Sequence, residues 1–140
     1  WDSSLLDDVQ FTFLPSQHWH QRGPFDYNKA LWGGWWIHGM SGSSFYHMGD
    51  SGYFKGFEAI FEMIRSVCSG RVIFSNRTQL HQLQRSCRQA AESIGHEELY
   101  CESRILDAAS RFFHVTQQGQ LGKWPLWMLD VPGASLSAAA

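Results

Sequence analysis

The sequence predicts an α/β chain with a hairpin-rich first half and a mostly helical second half. Two patterns and one shift in composition carry that expectation. Val9, Phe11 and Phe13 alternate with Gln10 and Thr12, the period-two pattern of a half-buried strand. Phe57, Ile60, Phe61 and Ile64 recur at i, i+3, i+4 and i+7, which is one face of a helix. Residues 1–57 hold 14 of the 21 aromatics and residues 58–140 the other 7, so the bulky strand-favouring side chains concentrate in the first half.

Taken in chain order, the first strand runs from Val9 and ends at Pro15-Ser16. Gly23-Pro24, Asp26 and Asn28 make residues 16–28 a loop. Ala30 to His38 is aromatic and strand-like, and Gly33-Gly34 inside it marks a bulge or a close backbone approach. A turn at Gly39-Met40-Ser41-Gly42 leads into Ser44 to Met48, so a hairpin is expected. Gly49-Asp50-Ser51-Gly52 then forms a tight polar loop. The helix of Phe57 to Ile64 stops at Gly70, and Val72-Ile73-Phe74 is a short strand. Leu80, Leu83, Cys87 and Ala91 give a weaker helical stripe closed by Gly95. Residues 97–115 give a third helix through Leu99, Ile105, Leu106, Ala109 and Phe113. Beyond Gln117, the residues Gly119, Gly122, Pro125, Pro132 and Gly133 predict irregular structure.

Composition excludes several function classes. Hydrophobic residues at 44% against 17% charged make a globular chain rather than a disordered one, and 140 residues allow one domain. A net charge of −2 gives no basic field for nucleic acid, and no apolar run approaches the roughly 20 residues of a membrane-spanning helix. Cys68, Cys87 and Cys101 are odd in number and lack C-x-x-C spacing, so they are expected as reduced core thiols in a cytoplasmic setting. No phosphate loop of the G-x-x-x-x-G-K-[ST] type and no G-x-S-x-G elbow occurs.

Chemistry concentrates where histidine and carboxylate meet the first-half loops. His18, His20, His38 and His47 lie among the strands, and imidazole and carboxylate are natural ligands for a divalent zinc or iron ion. Neither His18-x-His20 nor His47-x-x-Asp50 is specific by itself. Asp50 follows Gly49 and precedes Ser51-Gly52, where the backbone can approach an ion. The same residue types also make a simple Asx-turn, so both readings stay open at this point.

Residues 9–57 taken together resemble one family. The residues are Phe13-Leu14-Pro15-Ser16-Gln17-His18-Trp19, then Arg22, Asp26, Asn28, Leu31-Trp32-Gly33-Gly34-Trp35, and finally Gly49-Asp50-Ser51-Gly52-Tyr53. In this order and spacing they resemble the metallo-β-lactamase-fold hydrolases, within them the N-acylphosphatidylethanolamine-hydrolysing phospholipase D and its bacterial relatives. The resemblance implies part of a four-layer αβ/βα sandwich with two zinc ions at the sheet edge. It implies that His18 is a zinc ligand and that Asp50 is the carboxylate bridging the metals, at the centre of catalysis. Such paired metals stabilise an attacking hydroxide and the leaving oxygen of a phosphodiester. The implied partner is a phospholipid, which would add contact with a membrane surface. His20 and His47 stand where relatives carry other residue types, so no ligand role passes to them.

The family's H-x-H-x-D-H cluster and its late Ile-His-Trp-Gly-like segment do not occur in this sequence. The expectation is therefore a family segment over residues 1–62 joined to an unrecognised, mostly helical tail over residues 63–140, a fragment inactive in isolation. The alternative is a non-enzymatic aromatic module. In it Trp19, Trp32, Trp35 and Trp36 present an apolar surface to a lipid or a protein. Half a sandwich would leave a sheet face bare, so self-association is expected on either reading.

Overall fold

The computed structural model describes residues 1–18, 24–25, 31–49, 51–75, 102–121 and 124–133. Its strands are β1 (Ser3–Leu6), β2 (Val9–Leu14), β3 (Gly34–Gly39), β4 (Ser44–His47), β5 (Arg71–Ser75), β6 (His114–Leu121) and β7 (Trp124–Asp130). Two helices are described, α1 (Gly56–Val67) and α2 (Glu102–Ser110). The strands form one mixed sheet in the order β1-β2-β3-β4-β5-β7-β6.

The expected β2 is present, and Pro15 ends it because proline has no N–H for the ladder. The hairpin of β3 and β4 is present as well. Its turn closes through Gly39 N–H to Ser43 O at 2.8 Å, and Gly42 takes φ +94°, where a side chain would be strained. β4 and β5 pair in parallel, which needs a crossover, and α1 supplies it. Phe57, Ile60, Phe61 and Ile64 are fully buried, as the stripe requires. Glu58 in the first turn and Arg65 in the last complement the helix dipole.

Strand alternation gives the sheet two unlike faces. One carries Thr12, Leu14, Trp36, Tyr46, Val72, Phe74 and Leu129, all buried. Both helices pack on that face: Phe61 of α1 meets Tyr46 at 6.1 Å and Phe74 at 5.8 Å between ring centroids. Phe113, just beyond α2, reaches Phe61 at 6.4 Å. Ile105, Ala108 and Ala109 of α2 complete the same core.

The mostly helical tail is corrected. Past residue 62 the chain supplies three of the seven described strands, and residues 118–121 and 124–130 belong to the antiparallel pair β6 and β7 rather than to irregular structure, while Pro132 and Gly133 do lie in a turn after β7. The physical reason lies in position. β6 is an edge strand, so Gln117, Gln118 and Gln120 face water and hide the alternation. β7 lies between β5 and β6, and its run Leu126-Trp127-Met128-Leu129 is apolar throughout, giving no period to read. Gly119, at φ +133°, sits at the irregularity between Gln117 and Gln120. The third helix exists as the shorter Glu102–Ser110, with Phe113 buried after its end. The stripe from Leu80 to Ala91 lies outside the described residues. β1 was not foreseen: its four residues are all exposed, and it forms by a tight hairpin with Asp7 at φ 51°.

Tyr46 offers a direct check on this core. Its ring packs on Phe61 and Phe74, but its hydroxyl is buried without a hydrogen-bond partner, and burial pushes the phenol far above its ordinary range. A buried unpaired hydroxyl costs about 1–3 kcal/mol. Tyr46→Phe is therefore expected to raise the unfolding free energy by about 1 kcal/mol in urea titration. A loss of stability would show that the hydroxyl is bonded in the folded state.

Candidate functional site

Strand direction sets where the chain beside the two candidate ligands emerges. β2 and β4 both run antiparallel to β3, and β5 runs parallel to β4. The ends of β2, β4 and β5 therefore lie at one end of the sheet, which is where the segments carrying His18 and Asp50 emerge.

These two segments are bonded to each other. Gln17 and Gly52 form an isolated antiparallel bridge, with the Gly52 N–H donating to Gln17 O at 3.0 Å. The Gln17 N–H donates to Ser51 Oγ at 2.9 Å, and Ser51 Oγ donates to Gly52 O at 2.8 Å. His18 follows Gln17 and is exposed. Asp50 precedes Ser51 and lies outside the described residues. The structure thus joins the immediate neighbours of the two predicted ligands.

Glycines let the backbones come this close. A Cβ on Gly34 would stand 2.8 Å from His47 O and 2.8 Å from Met48 Cα. One on Gly33 would stand 2.6 Å from Leu14 O. Gly49 has φ +69°, and a Cβ there would meet Gly33 O at 2.9 Å. The Gly33-Gly34 pair is therefore a close approach of chains, one of the two meanings expected for glycine at this point. The Met48 N–H adds a bond to Ser75 O at 3.2 Å, tying β4 to the end of β5.

The remaining histidines divide by position. His38 lies at the other end of the sheet, stacked on Trp36 with ring centroids 5.3 Å apart and with Nδ1 3.9 Å from Cys68 Sγ. Cys68 is buried after α1 and donates to Ser44 Oγ at 3.3 Å, while Trp36 Nε1 donates to the same oxygen at 2.6 Å. Burial pushes the Cys68 thiol up, so it is the core thiol expected of it rather than a nucleophile. His47 is half-buried and stacks on Phe45 at 6.4 Å. His114 opens β6 at the far edge and is exposed. His20, His81, His96, Cys87 and Cys101 lie outside the described residues.

The fit of a metal follows from the donor set. Among the described residues, no three side chains of His, Cys, Asp and Glu gather closely enough to hold a metal ion. His18 with Asp50 supplies two donors where a stable zinc site takes three or four. These residues alone therefore do not fit a two-zinc centre.

The aromatic module needs one correction. Trp36 is 2% exposed in the helix-covered core and presents no surface. Trp35 is 46% exposed on the opposite face, Trp32 is half-buried, and Trp19 lies outside the described residues.

Ser51 is the residue that sequence reasoning missed, because a serine between aspartate and glycine looks like any turn residue. The next aromatic is placed too: Arg104 of α2 lies over the Tyr53 ring at 4.8 Å, and Arg111 donates to Glu58 Oε1 at 2.8 Å. Together they line a small cleft of about 130 Å³ whose two guanidinium groups are balanced by Glu58 and Asp107. No described helix is long and apolar enough to cross a membrane. In comparison with known families, residues 1–101 match the model of the Beta-lactamase superfamily domain. The match passes residue 62 and takes in β5, where the resemblance had ended at about residue 62.

Proposed function

The chain belongs to the β-lactamase superfamily, with the metallo-β-lactamase fold, and on that premise we propose that it is part of a phospholipase D-type phosphodiesterase acting on N-acylphosphatidylethanolamine. The observation that supports this reading is the bridge between Gln17 and Gly52, which ties the residue before His18 to the segment that follows Asp50 in the chain. His18 would serve as a ligand to zinc, which the superfamily often binds, and Asp50 as the carboxylate of the reacting centre. The motif from Leu31 to Trp35 supports the narrower lipid assignment through its resemblance, and a fold by itself does not fix a substrate. Two donors are too few for the metal centre, so the isolated chain is inactive.

Two measurements test the reading. The purified chain with added zinc is expected to release no N-acylethanolamine from N-acylphosphatidylethanolamine vesicles. Release that disappears in Asp50→Ala would overturn the inactivity. An antibody against residues 9–57 should capture a native product well above 16.0 kDa that performs this hydrolysis. Capture of a native product without that activity would overturn the substrate.

A further inference from the structure

The outermost strand on the β1 side leaves a row of backbone groups open. Among the described residues β1 pairs with β2 alone, and all four of its residues are exposed, Leu5 and Leu6 at 65% each. Its inner side is fastened: the Phe13 N–H donates to Asp2 O at 2.8 Å, and Ser3 Oγ lies 2.9 Å from Thr12 Oγ1. The first of these bonds sets the phase of the ladder. Bonded and non-bonded partners alternate in an antiparallel pair, so Asp2, Ser4 and Leu6 bond to β2 while Ser3 and Leu5 turn N–H and C=O outward. Such an edge is a template for another strand unless charge, proline or a bulge guards it. Ser3-Ser4-Leu5-Leu6 has no charge and no proline, and its register with β2 is regular.

Carboxylates frame this edge. Asp2 stands before β1, Asp7 and Asp8 follow it, and all three are exposed. No ion pair among the described residues holds any of them. The described part of residues 1–49 contains no lysine or arginine.

We propose that the β1 edge docks an extended, apolar segment of a partner protein with lysine or arginine at both ends. The segment's backbone pairs with Ser3 and Leu5, its middle lies beside Leu5 and Leu6, and its cations meet Asp2 at one end and Asp7 and Asp8 at the other. Asp2 and Asp7 are five residues apart along the chain, about 17 Å of extended backbone, which sets the spacing of the cations. A second copy of the chain is the poorer occupant. Antiparallel pairing of two β1 strands brings Asp2 of one toward the Asp7-Asp8 turn of the other, and like charges across strands repel. The proposal does not depend on the catalytic reading.

Fluorescence anisotropy on the full chain tests it, with a labelled peptide in which lysines flank four alternating valines and threonines. Saturable binding is expected, and it should weaken as salt rises. Leu5→Pro removes an outward N–H and leaves every bond to β2, so it should weaken binding at least about tenfold with an unchanged far-ultraviolet circular dichroism spectrum. Asp2→Asn combined with Asp7→Asn should also weaken it at low salt. Asparagine tolerates the φ of 51° at position 7, so this variant covers the case in which Leu5→Pro unfolds. The peptide with glutamates in place of its lysines should not bind. A lysine peptide that fails to bind overturns the proposal. So does binding retained in a folded Leu5→Pro, or equal binding of the glutamate peptide. Self-association of the chain that Leu5→Pro abolishes would make a second copy the occupant, and overturns it as well.

Discussion

Phe61→Ala is expected to lower the unfolding free energy by about 3–5 kcal/mol, the usual cost of truncating a fully buried phenylalanine. Phe61 has no exposed surface and joins four rings: Tyr46 and Phe74 of the sheet, Phe57 of its own helix, and Phe113 after α2. Its removal leaves a cavity bounded by two strands and the segment after α2, so no single movement can close it. Urea titration followed by circular dichroism measures the loss, and the midpoint should fall with little change in slope. Val67→Ala serves as the reference, because Val67 is half exposed at the end of α1 and its truncation should cost within about 0.5 kcal/mol. Equal effects from the two changes would mean that α1 does not rest on the sheet.

The same residue shows why part of the fold was legible. α1 announces itself because one face is dry and the other wet, and Phe57, Ile60, Phe61 and Ile64 mark the dry one at helical spacing. β2 is legible for the corresponding reason at period two. β6 and β7 are not, because their positions erase the pattern. The outermost strand has polar side chains on both sides of its backbone, while β7 is apolar along its length. Gly119 and Pro125 suggested loops, and the β6–β7 pairing accommodates them at and beside its irregularity. β1 is the extreme case: Ser3-Ser4-Leu5-Leu6 is exposed throughout and has no burial to impose alternation.

The sequence offers candidate ligands but not the arrangement of the chain beside them. Their neighbours Gln17 and Gly52 lie far apart in the chain, and nothing local says that these two pair. The order of the strands decides it, since two strands flanking a common antiparallel neighbour end at the same edge. Ser51 fastens the junction by accepting from one segment and donating within the other, a role without a sequence signature. Trp36 was misjudged for a related reason. Trp35 and Trp36 are adjacent, so the pleat sends them to opposite faces, and one of the pair had to enter the core.

Gly34→Ala puts that geometry to the test, with an expected loss of about 3 kcal/mol. The new methyl group would lie 2.8 Å from His47 O and from Met48 Cα, both backbone atoms that no rotamer change can withdraw. β3 and the segment after β4 would have to separate. That separation would travel to the Gln17–Gly52 bridge, because Gly49, three residues before Gly52, lies so close to Gly33 in the same junction that a Cβ on it would stand 2.9 Å from Gly33 O. The amide resonances of His18 and Ser51 should therefore shift in Gly34→Ala. Gly42→Ala gives the contrast. Gly42 has open space around it and only its φ of +94° to strain an alanine, so it should cost about 1 kcal/mol and leave those resonances in place. If Gly34→Ala were as stable as the parent, the backbones would not converge there, and the junction that holds Gln17 against Ser51 and Gly52 would lose its support with them.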